Sequence, residues 1–316
     1  MNGSVRSSAA LVWRHQRIVW WIWIVNLVLA WLSSLPARTT LRSVLDHSLQ
    51  SARFVTGFDA GAFAVMLSRP DVQPGPLAIS AISAAVVFFA YLLFLDGGIF
   101  AVYLDDRKLS RAEFFESSGL YFWRMFRLAL CSLIPFAVIG AANGGIAEWA
   151  GKLSNDAAPE KLGWVVNLSG KLLCGLLFLF VRLWFDLAQG RLVKDNERKV
   201  LRTAWRSLKL AFHSGKLYAS YLGIAIFSIA AFGLGTALWY YLPHRATGAA
   251  FLILELVTII MISARLWMKA ASARRVALIP TEVLTMSPLA PPIVEPTLNP
   301  AEVIEGPNAP PPPTSE

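Results

Sequence analysis

The sequence predicts an all-α integral membrane protein with six transmembrane helices and interfacial amphipathic helices. Of its 316 residues, 56% are hydrophobic and only 16% are charged, whereas soluble domains average about 25% charged residues. Six apolar stretches approach the roughly 20 residues that a helix needs to cross about 30 Å of hydrocarbon. Lys and Arg also collect in alternate connecting segments, as they do in multi-span proteins. Lipid is therefore the expected solvent of this chain.

The predicted spans follow one another along most of the chain. We place them at about 18–37, 75–102, 124–147, 162–188, 217–242 and 246–268. The first is long and rich in tryptophan, which favours a retained anchor over a cleaved signal peptide. The fourth is apolar but interrupted by Lys171, Arg182 and Asp186. Together the spans define a membrane domain over 18–275.

Three further segments lie outside the spans. Residues 1–17 are expected to form a cytoplasmic N-terminal segment, and the outer segment 38–73 to form one or two short surface helices. Residues 276–316 are rich in proline and contain glutamate but no Lys or Arg. Such a segment cannot bury enough apolar surface to fold, so we expect a disordered, Pro-rich cytoplasmic tail.

The orientation follows from the distribution of cations. Lys and Arg are roughly three times as frequent in the segments on the side of the N-terminus as on the other side, which places both termini in the cytoplasm of a cell (inner) membrane. The net charge of +9 then belongs to the inner face. We expect it to attract anionic lipid headgroups, with no nucleic acid as partner. An unknown protein partner, bound through helix faces or the tail, stays an alternative.

Two inner loops are predicted to form basic amphipathic helices. In the first, Ser110 and Glu113 have the spacing of a capping box. In the second, Val200/Leu201, Ala204/Trp205, Leu208 and Ala211/Phe212 form an apolar stripe. The cations of this second helix, which we expect to contact lipid headgroups, are Arg198, Lys199, Arg202, Arg206 and Lys209. A connecting helix packed on the span ends is the alternative interpretation, and the two are compatible.

Three polar residues are expected deep in the membrane. Entering from the outer side, Lys171 and Glu255 each lie about 12 Å along their helices, and Asn26 lies at a similar depth. A charge in hydrocarbon is costly unless it is paired, so we hypothesise that Lys171 pairs with Glu255, with Asn26 as a neighbour. Such a pair either fixes how the helices dock or lines a substrate or proton route. We favour the structural role.

A second set of charges lies near the predicted inner boundary. Arg182 and Asp186 have the spacing for contact along one helix face, and Arg191 follows. Long side chains at such a boundary extend to water, so we interpret this set as boundary charges.

No enzyme chemistry is indicated by the sequence. It contains no Gly-rich phosphate loop, no HExxH motif and no Gly-x-Ser-x-Gly elbow. The four histidines are scattered singly, and Cys131 and Cys174 both fall within predicted spans, so we predict no metal site, no disulfide framework and no cofactor.

The two inner loops also carry a family resemblance. Asp96-Gly97-Gly98 through Glu113-Phe114-Phe115, and Asp186 through Arg202-x-x-x-Arg206, resemble uncharacterised bacterial six-span membrane proteins related to the membrane domain fused to some glycerophosphodiester phosphodiesterases. The resemblance covers 18–275. The catalytic domain of those enzymes has no counterpart in this sequence, so the resemblance implies a non-catalytic multi-span module.

The predicted function is a non-enzymatic, multi-pass membrane module that organises protein partners or lipids at the cytoplasmic face. The alternative is a small-solute or lipid transporter or permease that uses an intramembrane site at Lys171 and Glu255.

Overall fold

All regular structure in the described part of the chain is α-helical. The computed structural model describes residues 2–45, 74–107, 109–156, 161–242 and 247–280. The eight helices within these ranges are α1 (Asn2–Arg14), α2 (Gln16–Leu45), α3 (Pro74–Asp105), α4 (Arg111–Asp156), α5 (Lys161–Lys194), α6 (Val200–Phe212), α7 (Gly215–Tyr241) and α8 (Thr247–Ala277).

Six of these helices are long and apolar enough to cross a membrane. Their candidate spans are Gln16–Pro36, Ala78–Asp105, Arg111–Ser154, Lys161–Lys194, Gly215–Tyr241 and Gly248–Ala277. The predicted fold class is thereby confirmed. Many apolar side chains remain exposed on these helices, among them Ile82 (63%), Leu172 (63%) and Ile229 (71%). Exposed apolar surface on this scale is what a lipid solvent requires.

The helix α4 differs from the expected arrangement of a surface helix followed by a span. Ser110 and Glu113 do form the predicted capping box, with Ser110 N donating to Glu113 Oε2 at 2.7 Å and Glu113 N to Ser110 Oγ at 3.2 Å. The helix then continues without a break for 46 residues. At 1.5 Å per residue it is roughly 70 Å long, more than twice the thickness of the hydrocarbon. The predicted first inner helix is therefore not separate, because it forms one continuous helix with the third span.

Contacts near the helix ends define one end of the bundle. We call the end that holds Arg14, Asp106, Lys194 and Ala277 the basic end. There Arg14 Nη1 contacts Asp106 Oδ1 at 2.9 Å, and Lys194 Nζ donates to the carbonyl oxygens of Val276 and Ala277 at 2.9 and 3.1 Å. The end of α1 thus lies beside the end of α3, and the end of α5 lies beside the end of α8.

Close packing between α3 and α4 depends on glycine. A Cβ atom added to Gly98 would lie 2.6 Å from Ser118 Oγ and 2.8 Å from the carbonyl oxygen of Phe114. Gly97 is similarly close to the carbonyl oxygen of Ser117, at 2.9 Å. Without side chains at these two positions, the helices approach closely and form an antiparallel pair.

Two helices of the bundle each pack against five others: α8 against α1, α2, α3, α5 and α7, and α5 against α3, α4, α6, α7 and α8. The fully buried apolar side chains concentrate towards the basic end, and they include Leu95, Phe100, Leu128, Leu187 and Leu192. The core therefore lies in the same half of the bundle as the charged side chains described below.

The structure adds detail to three of the predicted segments. The N-terminal segment contains α1, which packs against α8, and Trp267 Nε1 donates to Ser8 Oγ at 3.1 Å. The first span continues as helix α2 to Leu45, whereas the rest of the predicted outer segment, 46–73, lies outside the described residues. The last described helix, α8, ends two residues beyond 275, and Val276 within it is fully buried. Most of the predicted tail, 281–316, also lies outside the described residues.

Candidate functional site

A buried ion pair joins the two helices α5 and α8. Arg265 Nη1 lies 2.5 Å from Asp186 Oδ2, and Arg265 Nη2 lies 2.6 Å from Asp186 Oδ1. The Asp186 side chain has no exposed surface, and that of Arg265 is 23% exposed. This two-point geometry matches the planar guanidinium to both carboxylate oxygens, which is the strong form of such a bond.

Tyr221 connects α7 to this pair. Its hydroxyl lies 2.9 Å from Asp186 Oδ2 and 2.9 Å from the carbonyl oxygen of Met268. The hydroxyl has one proton to donate, so it satisfies one of these two acceptors at a time. Because the Tyr221 side chain is fully buried, the contact fixes α7 against α5 and α8.

A second buried ion pair links α3 to α8. Lys269 Nζ donates to Asp96 Oδ1, and Gln189 Nε2 of α5 donates to Asp96 Oδ2 at 2.6 Å. Asp96 and Lys269 are only 3% and 5% exposed. Lys269 Nζ also lies 5.8 Å from the centre of the Phe100 ring, within the range of a cation–π contact.

These residues form one group, which we call the polar cluster: Asp96, Arg182, Asp186, Gln189, Tyr221, Arg265 and Lys269. Helical periodicity explains its assembly, because residues three or four positions apart share a helix face. Arg265 and Lys269 are four apart on α8, and Asp186 and Gln189 are three apart on α5. One face of α5 and one face of α8 therefore meet at Asp186 and Arg265, and the same two faces bind Asp96 of α3 through Gln189 and Lys269.

Arg182 differs from the other cations of the cluster. Its Nε atom is buried and makes no hydrogen bond, and no carboxylate pairs with its guanidinium within the part of the chain that the structure describes. The formal charges of the cluster are three positive (Arg182, Arg265, Lys269) and two negative (Asp96, Asp186). Arg182 carries the excess positive charge.

A cleft of about 430 Å³ adjoins the cluster between α2, α3, α4, α5 and α8. We call it the charged cleft. Its polar lining consists of Asp96, Arg182, Arg265 and Lys269, and the rest is apolar and includes five phenylalanines. Phe136 of α4 and Phe178 of α5 both line it, with ring centres 5.1 Å apart. Its volume is within the range of small-molecule sites.

The structure does not bring Lys171 and Glu255 together. Glu255 Oε2 instead accepts a hydrogen bond of 2.7 Å from Trp23 Nε1 of α2. Lys171 is exposed, and no hydrogen bond or ion pair joins it to Glu255 among the described residues. Asn26 is half-buried and lies one helical turn beyond Trp23. Glu255 of the sixth span thus joins α8 to α2 through the indole of Trp23. A search for oppositely charged partners does not find this contact, because tryptophan is uncharged.

The predicted boundary charges separate into two places. Asp186 does not contact Arg182 along α5 but pairs with Arg265, and its burial shows that it points into the bundle. Arg191 belongs to a different pair, with its Nε 3.6 Å from Asp195 Oδ2. The assumption that these side chains extend to water was wrong for Asp186, because a buried cation on a neighbouring helix satisfies it.

The Lys and Arg residues that were predicted to contact lipid headgroups lie on α6 or just before it. Arg198, Lys199, Arg202 and Lys209 are exposed, whereas Arg206 is half-buried with its Nη1 3.4 Å from Glu197 Oε1. Part of the apolar stripe of α6 is buried against the bundle, and part of it is exposed. Its Val200, Ala204 and Ala211 are buried, and its Leu201, Trp205 and Phe212 are 74%, 62% and 69% exposed.

The sequence did not identify the partners that assemble the polar cluster. Arg265 and Lys269 entered only through the overall distribution of Lys and Arg, and Tyr221 and Gln189 were not singled out. One signal was present: the four-residue spacing of Arg265 and Lys269 along an apolar helix places both charges on one side, opposite some other helix.

The fold and the polar cluster define an all-helical, multi-pass membrane protein whose helices are held together by buried charges. Comparisons with protein-family models, with curated protein sequences and with solved structures give no match to this chain.

Proposed function

We propose that the protein is a non-enzymatic, multi-pass module of the cell membrane that holds anionic lipid at its cytoplasmic face. The observation that carries the proposal is the exposed side of α6. There three large apolar side chains, Leu201, Trp205 and Phe212, are uncovered beside exposed cations.

The arrangement around α6 suits a helix at the level of the lipid headgroups. One side of the helix packs on the bundle through Val200, Ala204 and Ala211. At 100° per residue, Leu201, Trp205 and Phe212 form the neighbouring stripe, and Arg202 and Lys209 follow beyond it. Apolar side chains can then enter the acyl region while the cations contact phosphates. Lys209 Nζ lies 6.0 Å from the Trp205 ring centre, which keeps the cation beside the stripe.

The orientation in the membrane rests on the distribution of cations. The basic end and α6 hold most of the Lys and Arg between spans, and the positive-inside rule places such segments in the cytoplasm. Anionic lipids of the cytoplasmic leaflet attract each of these cations by about 1 kcal/mol. Reporter tags at the two termini test this orientation, and tags on opposite sides of the membrane would contradict it.

The transporter alternative relied on Lys171 and Glu255 sharing a site. Glu255 bonds to Trp23, Lys171 is exposed, and Glu255 is not among the residues that line the charged cleft. These contacts support the module as the better proposal.

Quenching of Trp205 tests the proposed lipid contact. The full chain is placed in nanodiscs whose brominated lipid is either anionic or zwitterionic, and the emission of Trp205→Phe is subtracted from that of the unaltered chain. We expect the Trp205 emission to be quenched more strongly by the anionic lipid, because the adjacent cations raise the local concentration of that lipid.

The double variant Arg202→Gln with Lys209→Gln should remove this preference. Lys152→Gln with Lys161→Gln, exposed cations of the opposite end, should leave it. Equal quenching by both lipids in the unaltered chain would contradict the proposal.

A further inference from the structure

The charged cleft contains a positive charge, that of Arg182, with which no carboxylate of the described residues pairs. Asp96 is satisfied by Lys269 and Gln189, and Asp186 by Arg265 and Tyr221. No carboxylate remains for Arg182 among the described residues, although its Nε atom is buried. Arg182 is half-buried, and a buried N–H donor without an acceptor is unfavourable, so an anion that enters the cleft and accepts from its guanidinium would stabilise the arrangement.

The donors are suited to an anionic headgroup with several oxygen atoms. A guanidinium offers parallel N–H donors that match two oxygens of a phosphate, and an ammonium adds a compact charge. Arg182 lines the cleft together with Arg265 and Lys269, so three cations face the same space. Their two carboxylate partners leave an excess of one positive charge.

The rest of the lining is suited to an acyl chain. Phe88, Phe136, Phe178, Phe185 and Ile262 are among the apolar side chains around the cleft. A free, hydrated anion would lose water against these groups without compensation, whereas an apolar chain would gain by contact with them. Phe89 and Met261 also line the cleft and are 51% and 40% exposed on the bundle surface. The cleft therefore opens sideways, in the direction from which a lipid arrives.

We infer that the charged cleft binds one lipid with an anionic phosphate headgroup, which contacts Arg182 while the acyl chain lies among the phenylalanines. This site is separate from the surface of α6. It rests on the proposed function only for the position of the bundle in a membrane.

A titration with three probes tests the inference. The full chain, purified in an uncharged detergent, is titrated calorimetrically with a monoacyl glycerophosphate, with a monoacyl phosphocholine of equal chain length, and with inorganic phosphate. We expect saturable binding of the glycerophosphate, at least about tenfold tighter than binding of the phosphocholine. Inorganic phosphate should not bind at the same concentrations. Equal binding of the phosphocholine would overturn the role of charge, and equal binding of inorganic phosphate would overturn the role of the acyl chain.

Matched variants locate the site. Arg182→Gln should weaken binding of the glycerophosphate by about tenfold or more, because it removes a charge-assisted hydrogen bond. Lys171→Gln removes an exposed cation from the same helix and should leave binding unchanged. Arg202→Gln with Lys209→Gln should also leave it unchanged, which separates this site from the proposed function of α6. Equal weakening by Lys171→Gln and Arg182→Gln would overturn the assignment.

Photocrosslinking of the unaltered chain covers the case in which Arg182→Gln does not fold. A monoacyl glycerophosphate with a diazirine in its acyl chain should form adducts with the peptides that contain Phe88, Phe89 and Phe178. Excess unlabelled glycerophosphate should suppress these adducts, and phosphocholine should not. Adducts spread equally over the exposed surface of α7, around Ile229, would overturn the inference.

Discussion

Asp186 of α5 and Arg265 of α8 meet through two hydrogen bonds of 2.5 and 2.6 Å, although they are 79 positions apart in the chain. The carboxylate is fully buried, and Tyr221 lies 2.9 Å from the same oxygen that Arg265 Nη1 contacts. This relationship joins three of the six candidate spans at one point. Removal of this ion pair should therefore destabilise the whole bundle.

Asp186→Asn should lower the free energy of unfolding by about 3–5 kcal/mol, because it leaves the charge of Arg265 in the interior without a counter-ion. Unfolding in mixed micelles, followed by circular dichroism, measures the effect. Asp106→Asn is the matched control, since it removes one carboxylate of an ion pair whose side chains are 55% and 47% exposed. Asp106→Asn should lower the free energy of unfolding by only about 0–1 kcal/mol. Equal losses in the two variants would contradict a special role for Asp186.

The pair of Asp96 and Lys269 should show energetic coupling in a double-mutant cycle. We expect Lys269→Met and Asp96→Asn each to destabilise the protein, and the double variant to lose less than the sum. The coupling should be about 0.5–3 kcal/mol, because each single change leaves a buried polar group without its partner. The pair of Lys152 and Glu148, whose side chains are 68% and 71% exposed, serves as control, with an expected coupling of about 0.3–0.5 kcal/mol. Additive effects at Asp96 and Lys269 would show that the pair does not act as a unit.

Gly98→Ala should destabilise the contact between α3 and α4 by about 1–3 kcal/mol, because the added methyl group would lie 2.8 Å from the backbone oxygen of Phe114. Thermal unfolding in detergent reports the change. Gly144→Ala is the control on α4, since an added Cβ there meets nothing within 4 Å. That substitution should be neutral or stabilising by up to about 1 kcal/mol, because alanine favours the helix. A loss at position 144 as large as at position 98 would argue against the close approach.

Trp23→Phe should cost about 1.5–3 kcal/mol of unfolding free energy, because it removes the donor to the Glu255 carboxylate. Lys171→Ala should change stability by less than about 0.5 kcal/mol, since this side chain is exposed. Trp164→Phe, at a tryptophan that is 64% exposed, controls for the loss of an indole. If Lys171→Ala proved as damaging as Trp23→Phe, the original hypothesis of a Lys171–Glu255 pair would regain support.

The sequence was informative about single helices and weak about pairs of helices. It predicted the capping box at Ser110 and Glu113, because that interaction joins two residues only three positions apart in the chain. It failed for Lys171 and Glu255, where similar depth was used as a substitute for proximity. Depth follows from position along a helix, whereas contact also requires that two helices are neighbours and that both side chains face the interface. The partner of Glu255 was a tryptophan, which no count of charges would select.

The amino-acid sequence by itself determined that six long apolar helices form, because a chain in hydrocarbon must satisfy its backbone hydrogen bonds within each segment, and hydropathy and length are local properties. The tertiary structure alone decided which buried charges meet. Lys269 and Asp96 are 173 positions apart, and their contact depends on the rotation and order of packed helices. The same holds for Arg182, because the burial of its Nε atom in an apolar cleft, with no carboxylate of the described residues beside it, is a consequence of packing.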